Sequence, residues 1–191
     1  MGIHEQLKSS TFREFQLFTP EECNTVIEAA EKHEPQQALV QHKGQVNADM
    51  SDVRITTTHY LDYENDFDII DKVRKQGLKE NVWGFETHKG REALPIIQVL
   101  KYELGGYYKQ HTDWGGTHVN RKFSMTVQLS NEHDYVGCEV LLNDGPESPH
   151  MIRKDKGWAT IFPSWTLHGV KPLAEGVRWS LVAWFLGKPY R

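Results

Sequence analysis

The apolar positions of the chain change their period along its length. FREFQLF (12–18) reads as a strand. Thr19-Pro20-Glu21-Glu22 is a helix start: Thr19 can cap, Pro20 takes the first helical position and Glu22 completes a capping box. Cys23, Val26, Ile27 and Ala30 then recur at helical spacing, which predicts one buried stripe. Pro35 stops that helix. Residues 36–52, polar with Gly44 and Asn47, read as a loop, and VRITTTHYL (53–61) is β-rich. A second helix is predicted from about Asn65 to Lys75, burying Ile69, Ile70 and Val73.

From Leu94 onward the pattern shortens. PIIQVLKYE, KFSMTVQLS, CEVLL, HMIRK, WATIF, HGVKP and VRWSLVAWF are brief β-branched and aromatic runs separated by Gly, Pro, Asn and Asp. Such runs predict a β-sandwich or barrel. The expected fold class is mainly β with N-terminal helices (α+β). No repeat, low-complexity tract or flexible boundary divides the chain, so 1–191 is expected to be one domain, with helical support mainly in 19–80 and the β core mainly in 94–187.

Composition narrows this only a little. The 191 residues are 38% hydrophobic and 25% charged, enough for a core without disulfides or structural metal. A net charge of −4 provides no broad basic field, so no nucleic-acid partner is expected. No stretch approaches the roughly 20 apolar residues of a membrane span, and the N-terminus lacks a secretory pattern, so the expectation is a cytoplasmic protein with no membrane partner. Gly2 alone is a weak acylation signal. Cys23 falls on the helix stripe, so a buried thiol is expected rather than a disulfide with Cys138.

The candidate chemistry lies in YELGGYYKQHTDWGG (102–116). His111 and Asp113 are two apart, so on an extended backbone both point to one face and can converge on an ion. Such a pair also arises by chance in solvated loops. His168, in PSWTLHGVKP between two short strands, is the leading third ligand. Two imidazoles and a carboxylate on one face of an ion form the triad of non-haem iron oxygenases. Three coordination positions stay open, two for a bidentate 2-oxo acid and one for dioxygen.

Arg178 lies ten residues beyond His168. Strand alternation places Arg178, Ser180, Val182 and Trp184 on one face and Trp179, Leu181, Ala183 and Phe185 on the other. Both faces are otherwise apolar, so Arg178 is expected to be buried, which is costly without a partner. A ligand carboxylate would supply one through two parallel hydrogen bonds, with Ser180 as a further donor. The competing reading is a cross-strand salt bridge to Glu103 or Glu139.

Tyr102-x-x-Gly105-x-x-Tyr108-x-x-His111-x-Asp113, followed by His168 and Arg178, resembles the prolyl 4-hydroxylase type of 2-oxoglutarate and iron(II) dioxygenase over residues 94–187. Leu129-Ser130, Tyr135-Val136-Gly137-Cys138-Glu139-Val140 and Pro163-Ser164-Trp165-Thr166-Leu167-His168-Gly169-Val170 are similar to the PKHD-type hydroxylases of bacteria. The resemblance implies a double-stranded β-helix (jelly roll). It implies iron(II) on His111, Asp113 and His168, and 2-oxoglutarate held by Arg178 and Tyr102, with ascorbate as an optional reductant. It also places Trp184 beside the iron pocket. The chain departs from relatives in having Cys138 for a glycine, Arg178 where many have Lys, and Gln128 where some have a second co-substrate tyrosine. Gln128 could donate to the same carboxylate.

Other residues carry alternatives. His4, His33, His42, His88 and His133 read as surface residues, and His59 and His150 as satisfied sheet residues. His118 could approach the site. Arg54 and Arg121 could contact substrate, although exposed strand-end arginines are the usual explanation. Trp114 could line the substrate entrance, and Trp158, Trp165 and Trp179 suit sandwich packing. Residues 41–52 are either a lid or a plain loop. Four functions stay open: a hydroxylase of proline in a protein or peptide, a small-molecule hydroxylase, a metal-binding or sensor jelly roll without activity, and a cupin using another metal.

Overall fold

The computed structural model describes residues 11–37, 53–145 and 149–190. The N-terminal part holds β1 (Arg13–Gln16), α1 (Pro20–Glu31), β2 (Gln36–Gln37), β3 (Arg54–Ile55), β4 (Thr57–Leu61) and α2 (Phe67–Lys79). After a 3-10 turn (Gly90–Ala93) come β5 (Ile97–Tyr102), β6 (Tyr107–His111), β7 (Arg121–Gln128), β8 (Tyr135–Gly137) and β9 (Val140–Asn143). The chain continues with β10 (His150–Met151), β11 (Trp158–Pro163), β12 (Leu167–Val170), β13 (Leu173–Gly176) and β14 (Arg178–Leu186). The anticipated lid, residues 41–52, lies outside the described residues, as do His4, His42 and Gly2.

Capping starts α1 as its residues dictate. Thr19 Oγ1 accepts from the Glu22 backbone N–H at 3.3 Å, and Glu22 Oε2 accepts from the Thr19 N–H at 2.8 Å. The stripe of Cys23, Val26 and Ala30 is buried. The helix ends at Glu31, before Pro35 can act. His33 turns inward there, meeting Asp66 Oδ2 through Nε2 at 2.8 Å while its carbonyl meets His59 Nδ1 at 3.1 Å. His33 is therefore not the free surface residue its polar surroundings suggested. Helix α2 runs to Lys79, four residues past the expected end, because its last turn still packs on the sheet. Gly77 lies against the Phe185 ring, and a Cβ there would overlap it.

Seven strands form the major sheet in the order β1-β11-β7-β14-β5-β4-β2, and five form the minor sheet in the order β10-β9-β12-β6-β3. Their pairings are antiparallel, and β8 and β13 make a separate ribbon. One face of the major sheet packs with the helices into the main core, where Ile97, Val99, Leu181 and Phe185 meet Val26, Ile70 and Val73. The other face looks across a cavity at the minor sheet, and side chains of both sheets line that cavity. This is the jelly-roll arrangement. No described helix is long and apolar enough to cross a membrane.

The segment 53–61 reads as one β-rich run but serves both sheets. Arg54 and Ile55 pair with Tyr108 and Tyr107 in the minor sheet, whereas Thr57–Leu61 pairs with Lys101–Ile97 in the major sheet. Thr56 is the crossing point, its hydroxyl donating to the Lys101 carbonyl at 2.9 Å. The crossing turns Arg54 inward. Both cysteines are free and buried. Burial pushes the Cys23 thiol up to about 11, which keeps it an unreactive apolar filler.

Candidate active site

Register brings the expected ligands together. His168 on β12 and His111 on β6 are direct cross-strand partners, and their rings lie 4.3 Å apart, centre to centre. Asp113 follows two residues after β6, where its backbone N–H donates to the Ser164 carbonyl at 2.9 Å. Asp113 Oδ1 is 3.6 Å from His111 Nε2, and its Oδ2 is 3.5 Å from His168 Nε2. One ligand atom from each of the three residues lies within 4.8 Å of the others.

The donor set could hold a cation. His111 Nδ1 meets the Lys109 carbonyl at 2.9 Å and His168 Nδ1 meets the Thr166 carbonyl at 2.9 Å. These bonds place the proton on Nδ1 and leave each Nε2 lone pair for a metal. Burial is the largest influence on Asp113 and opposes its charge. His168, His111 and the Ser124 hydroxyl outweigh it and hold the carboxyl below its usual range. Burial pushes His168 below the ordinary imidazole range, against the pull of Asp113. An ionised carboxylate and a neutral imidazole are the forms that bind metal.

A supporting layer escaped the sequence reading. Ser124 Oγ donates to Asp113 Oδ2 at 2.6 Å and lies 3.0 Å from Ser164 Oγ. Arg121 Nη1 donates to the Asp113 carbonyl at 3.3 Å, and its guanidinium lies 3.8 Å from the Trp184 ring centre. The available signal was alternation in β7, where Ser124, Thr126 and Gln128 are the polar members of an apolar run.

Arg178 is buried, as expected. Its Nε and Nη2 donate to Gln128 Oε1 at 3.1 and 2.8 Å, and Nη1 reaches Cys138 Sγ at 4.0 Å. The alternative salt bridge is not made: among the described residues no carboxylate reaches Arg178, and Glu103 pairs with Lys101 at 3.2 Å. Tyr102 faces Arg178 across the β5–β14 pairing, with the guanidinium 5.3 Å from its ring centre. Burial raises the Tyr102 pKa, so the phenol stays a donor. Arg178, Ser180, Val182 and Trp184 all line the cavity, and the opposite face of β14 lies in the helix-side core, as the alternation predicts. Gln128 does not line the cavity. Its carbonyl supports Arg178 laterally because β7 runs beside β14.

Residues 97–186 match the family described as the 2OG-Fe(II) oxygenase superfamily. This part of the chain is similar to that superfamily. The match spans β5 to β14 and contains every residue of the His111–Asp113–His168–Arg178 set. Among curated relatives, a PKHD-type hydroxylase of Psychrobacter sp. (strain PRwf-1) is 34% identical over 90 residues, covering 44% of this chain and 34% of that protein. Another, from Gloeothece citriformis (strain PCC 7424), is 33% identical over 113 residues, covering 58% of this chain and 50% of that protein. The chain thus spans half or less of these relatives' length. A Pseudomonas putida prolyl-4-hydroxylase superposes with a TM-score of 0.69 at 15% identity, covering 96% of both chains. A Trichoplax adhaerens prolyl hydroxylase, solved with a peptide fragment of the hypoxia inducible factor oxygen degradation domain, gives a TM-score of 0.74 at 16% identity, covering 95% of this chain and 86% of that one. At such identities the superpositions establish the fold alone.

Within the matched segment and around it, the structure separates the alternatives for several residues. Arg54 and Arg121 are not exposed strand-end arginines: Arg54 is buried and lines the cavity, and Arg121 lies between Asp113 and Trp184. His118 is exposed and outside the cavity lining. Trp114 is also exposed, edge-on to Tyr190 and outside the lining. Trp165, expected in the sandwich, is exposed beside Phe85 and Tyr190, whereas Trp179 is buried against His59. Cys138 accepts a positive φ of 55°, while Gly137 before it is the stricter position, since a Cβ there would strike the Pro172 carbonyl.

Proposed function

We propose that the protein is an iron(II)- and 2-oxoglutarate-dependent dioxygenase that hydroxylates an unactivated C–H bond, prolyl 4-hydroxylase-like and acting on a protein or peptide. One observation carries the reading: a His-Asp-His donor set and a buried arginine that no described carboxylate reaches line the same cavity. The superfamily match and the names of the relatives support the reaction class, and the peptide in the Trichoplax neighbour supports a peptide substrate.

The donor set fits iron(II). His111 and His168 would supply Nε2 and Asp113 a carboxylate oxygen, leaving the rest of the coordination sphere open. Iron and 2-oxoglutarate, when bound, supply the coupling of oxidative decarboxylation to hydroxylation, giving succinate, carbon dioxide and a product carrying one oxygen atom of dioxygen. Ser124 holds the Asp113 carboxylate in one rotation, and the carbonyls of Lys109 and Thr166 hold the two imidazoles. Arg178, kept in one orientation by Gln128, would offer its remaining Nη donors to the distal carboxylate of the co-substrate. The Tyr102 phenol and the Ser180 hydroxyl stand beside it as further donors. Leu100, Val140, Phe162, Val170 and Val182 make an apolar wall that excludes water from the reaction.

Iron-loaded protein given oxygen, 2-oxoglutarate and ascorbate should release succinate. Mass spectrometry should show a gain of one oxygen atom on proline-containing peptides. Oxygen gained by free amino acids and not by peptides would replace the peptide reading with a metabolite one. Absence of succinate across a broad substrate panel would reject the dioxygenase reading itself.

A further inference from the structure

The cavity is lined by a second guanidinium besides Arg178. Arg54 enters from the minor sheet and is buried. Its guanidinium carbon stands 4.9 Å from the centre of the Tyr108 ring, which itself stacks on His111 at 3.6 Å. Its one described hydrogen bond runs from Nη2 to Thr58 Oγ1 at 3.4 Å, long for a charged donor. The buried Nε–H has no partner among the described residues. The other two arginines at the site differ. Arg178 is held by Gln128, and Arg121 lies against Asp113 and Trp184.

A buried cation with an unmet donor is unfavourable unless an anion completes it. On the reading proposed above, which this inference rests on, the 2-oxoglutarate dianion is matched by Arg178 and by the metal with Asp113. Among the described residues no carboxylate pairs with Arg54, which lines the same cavity beside Tyr108. A guanidinium fork matches a carboxylate better than it matches a neutral amide. We infer that Arg54 binds a carboxylate of the primary substrate, so that the enzyme selects a target carbon lying near an acidic side chain or a free α-carboxylate.

The test uses manganese(II)-loaded protein without oxygen and isothermal titration calorimetry, so that it reads binding and not turnover. A first arm titrates 2-oxoglutarate into the parent, Arg54→Gln, Arg54→Lys and Arg178→Met proteins. A second arm, at saturating 2-oxoglutarate, titrates acetyl-prolyl-aspartate amide against its asparagine counterpart, and acetyl-proline against acetyl-proline amide. The acid of at least one pair should bind the parent protein about tenfold or more tighter than its neutral partner. That preference should vanish in Arg54→Gln and persist in part in Arg54→Lys, with 2-oxoglutarate affinity unchanged in both. Which pair responds identifies the side-chain or the α-carboxylate. Equal binding of acid and amide, or no saturable binding of either acid, overturns the inference. So does a loss of 2-oxoglutarate affinity in Arg54→Gln as large as in Arg178→Met, which would make Arg54 a co-substrate ligand. If 2-oxoglutarate fails to bind the parent protein, the dioxygenase reading fails first and this inference with it. Arg54→Lys keeps the charge and, with matched thermal melts, separates loss of recognition from loss of fold.

Discussion

Strand β14 turns two faces to two different environments. Trp179, Leu181, Ala183 and Phe185 pack into the helix-side core, where close approach at Gly77 lets α2 lie on the Phe185 ring. Arg178, Ser180, Val182 and Trp184 face the cavity. The helix side is held mainly by apolar contacts. The cavity side buries polar groups that the described residues leave unmet: Arg178 lacks a carboxylate, and Arg54 Nε and Trp184 Nε1 lack hydrogen-bond partners. A cavity whose described residues leave such groups unmet suits a polar ligand. Substitutions on the helix side should therefore cost stability, and those on the cavity side should cost ligand binding.

Asp113→Ala should have the largest effect on the cavity side. It should abolish metal binding and succinate release, well beyond the roughly 10–100-fold that loss of a supporting partner costs. The melting temperature of metal-free protein should hardly move, as metal analysis and calorimetry can check. A metal-free protein that unfolds would show that the triad is structural. On the helix side, Phe185→Ala should destabilise by about 3–5 kcal/mol in denaturant titrations, with 2-oxoglutarate affinity of the folded protein unchanged. Arg178→Met sharpens the contrast within the same strand. It should weaken 2-oxoglutarate binding by about 3 kcal/mol and lower the melting temperature far less than Phe185→Ala, because an apolar side chain removes the buried charge. Equal losses of stability in the two variants would erase the distinction between the faces. The smallest effect lies away from both: Thr19→Ala should cost about 1 kcal/mol through the cap of α1, without changing turnover per folded molecule.

Legibility in the sequence followed the range of the interaction. The capping box of α1, the stripe of Cys23, Val26 and Ala30, and the two faces of β14 could be read directly, since each depends on residues within a few positions. The split of 53–61 could not. Its β-branched residues suit a strand in either sheet, and only the partners, Tyr108 for Arg54 and Lys101 for Thr57, separate the two. Ser124 went unnoticed because its partner carboxylate comes from another loop. Arg54 could be read either as a substrate contact or as an exposed strand-end residue, because nothing in its neighbours reveals that the chain crosses between sheets there.

By itself, then, the sequence determined which side chains could do chemistry and which short segments would coil or extend, because capping, alternation and turn preference are properties of neighbouring residues. Tertiary structure alone decided that His168 would face His111, that Gln128 would hold Arg178 instead of lining the cavity, and that Arg54 would point into the cavity. Those outcomes depend on how antiparallel strands distant in sequence register when two sheets close on one another.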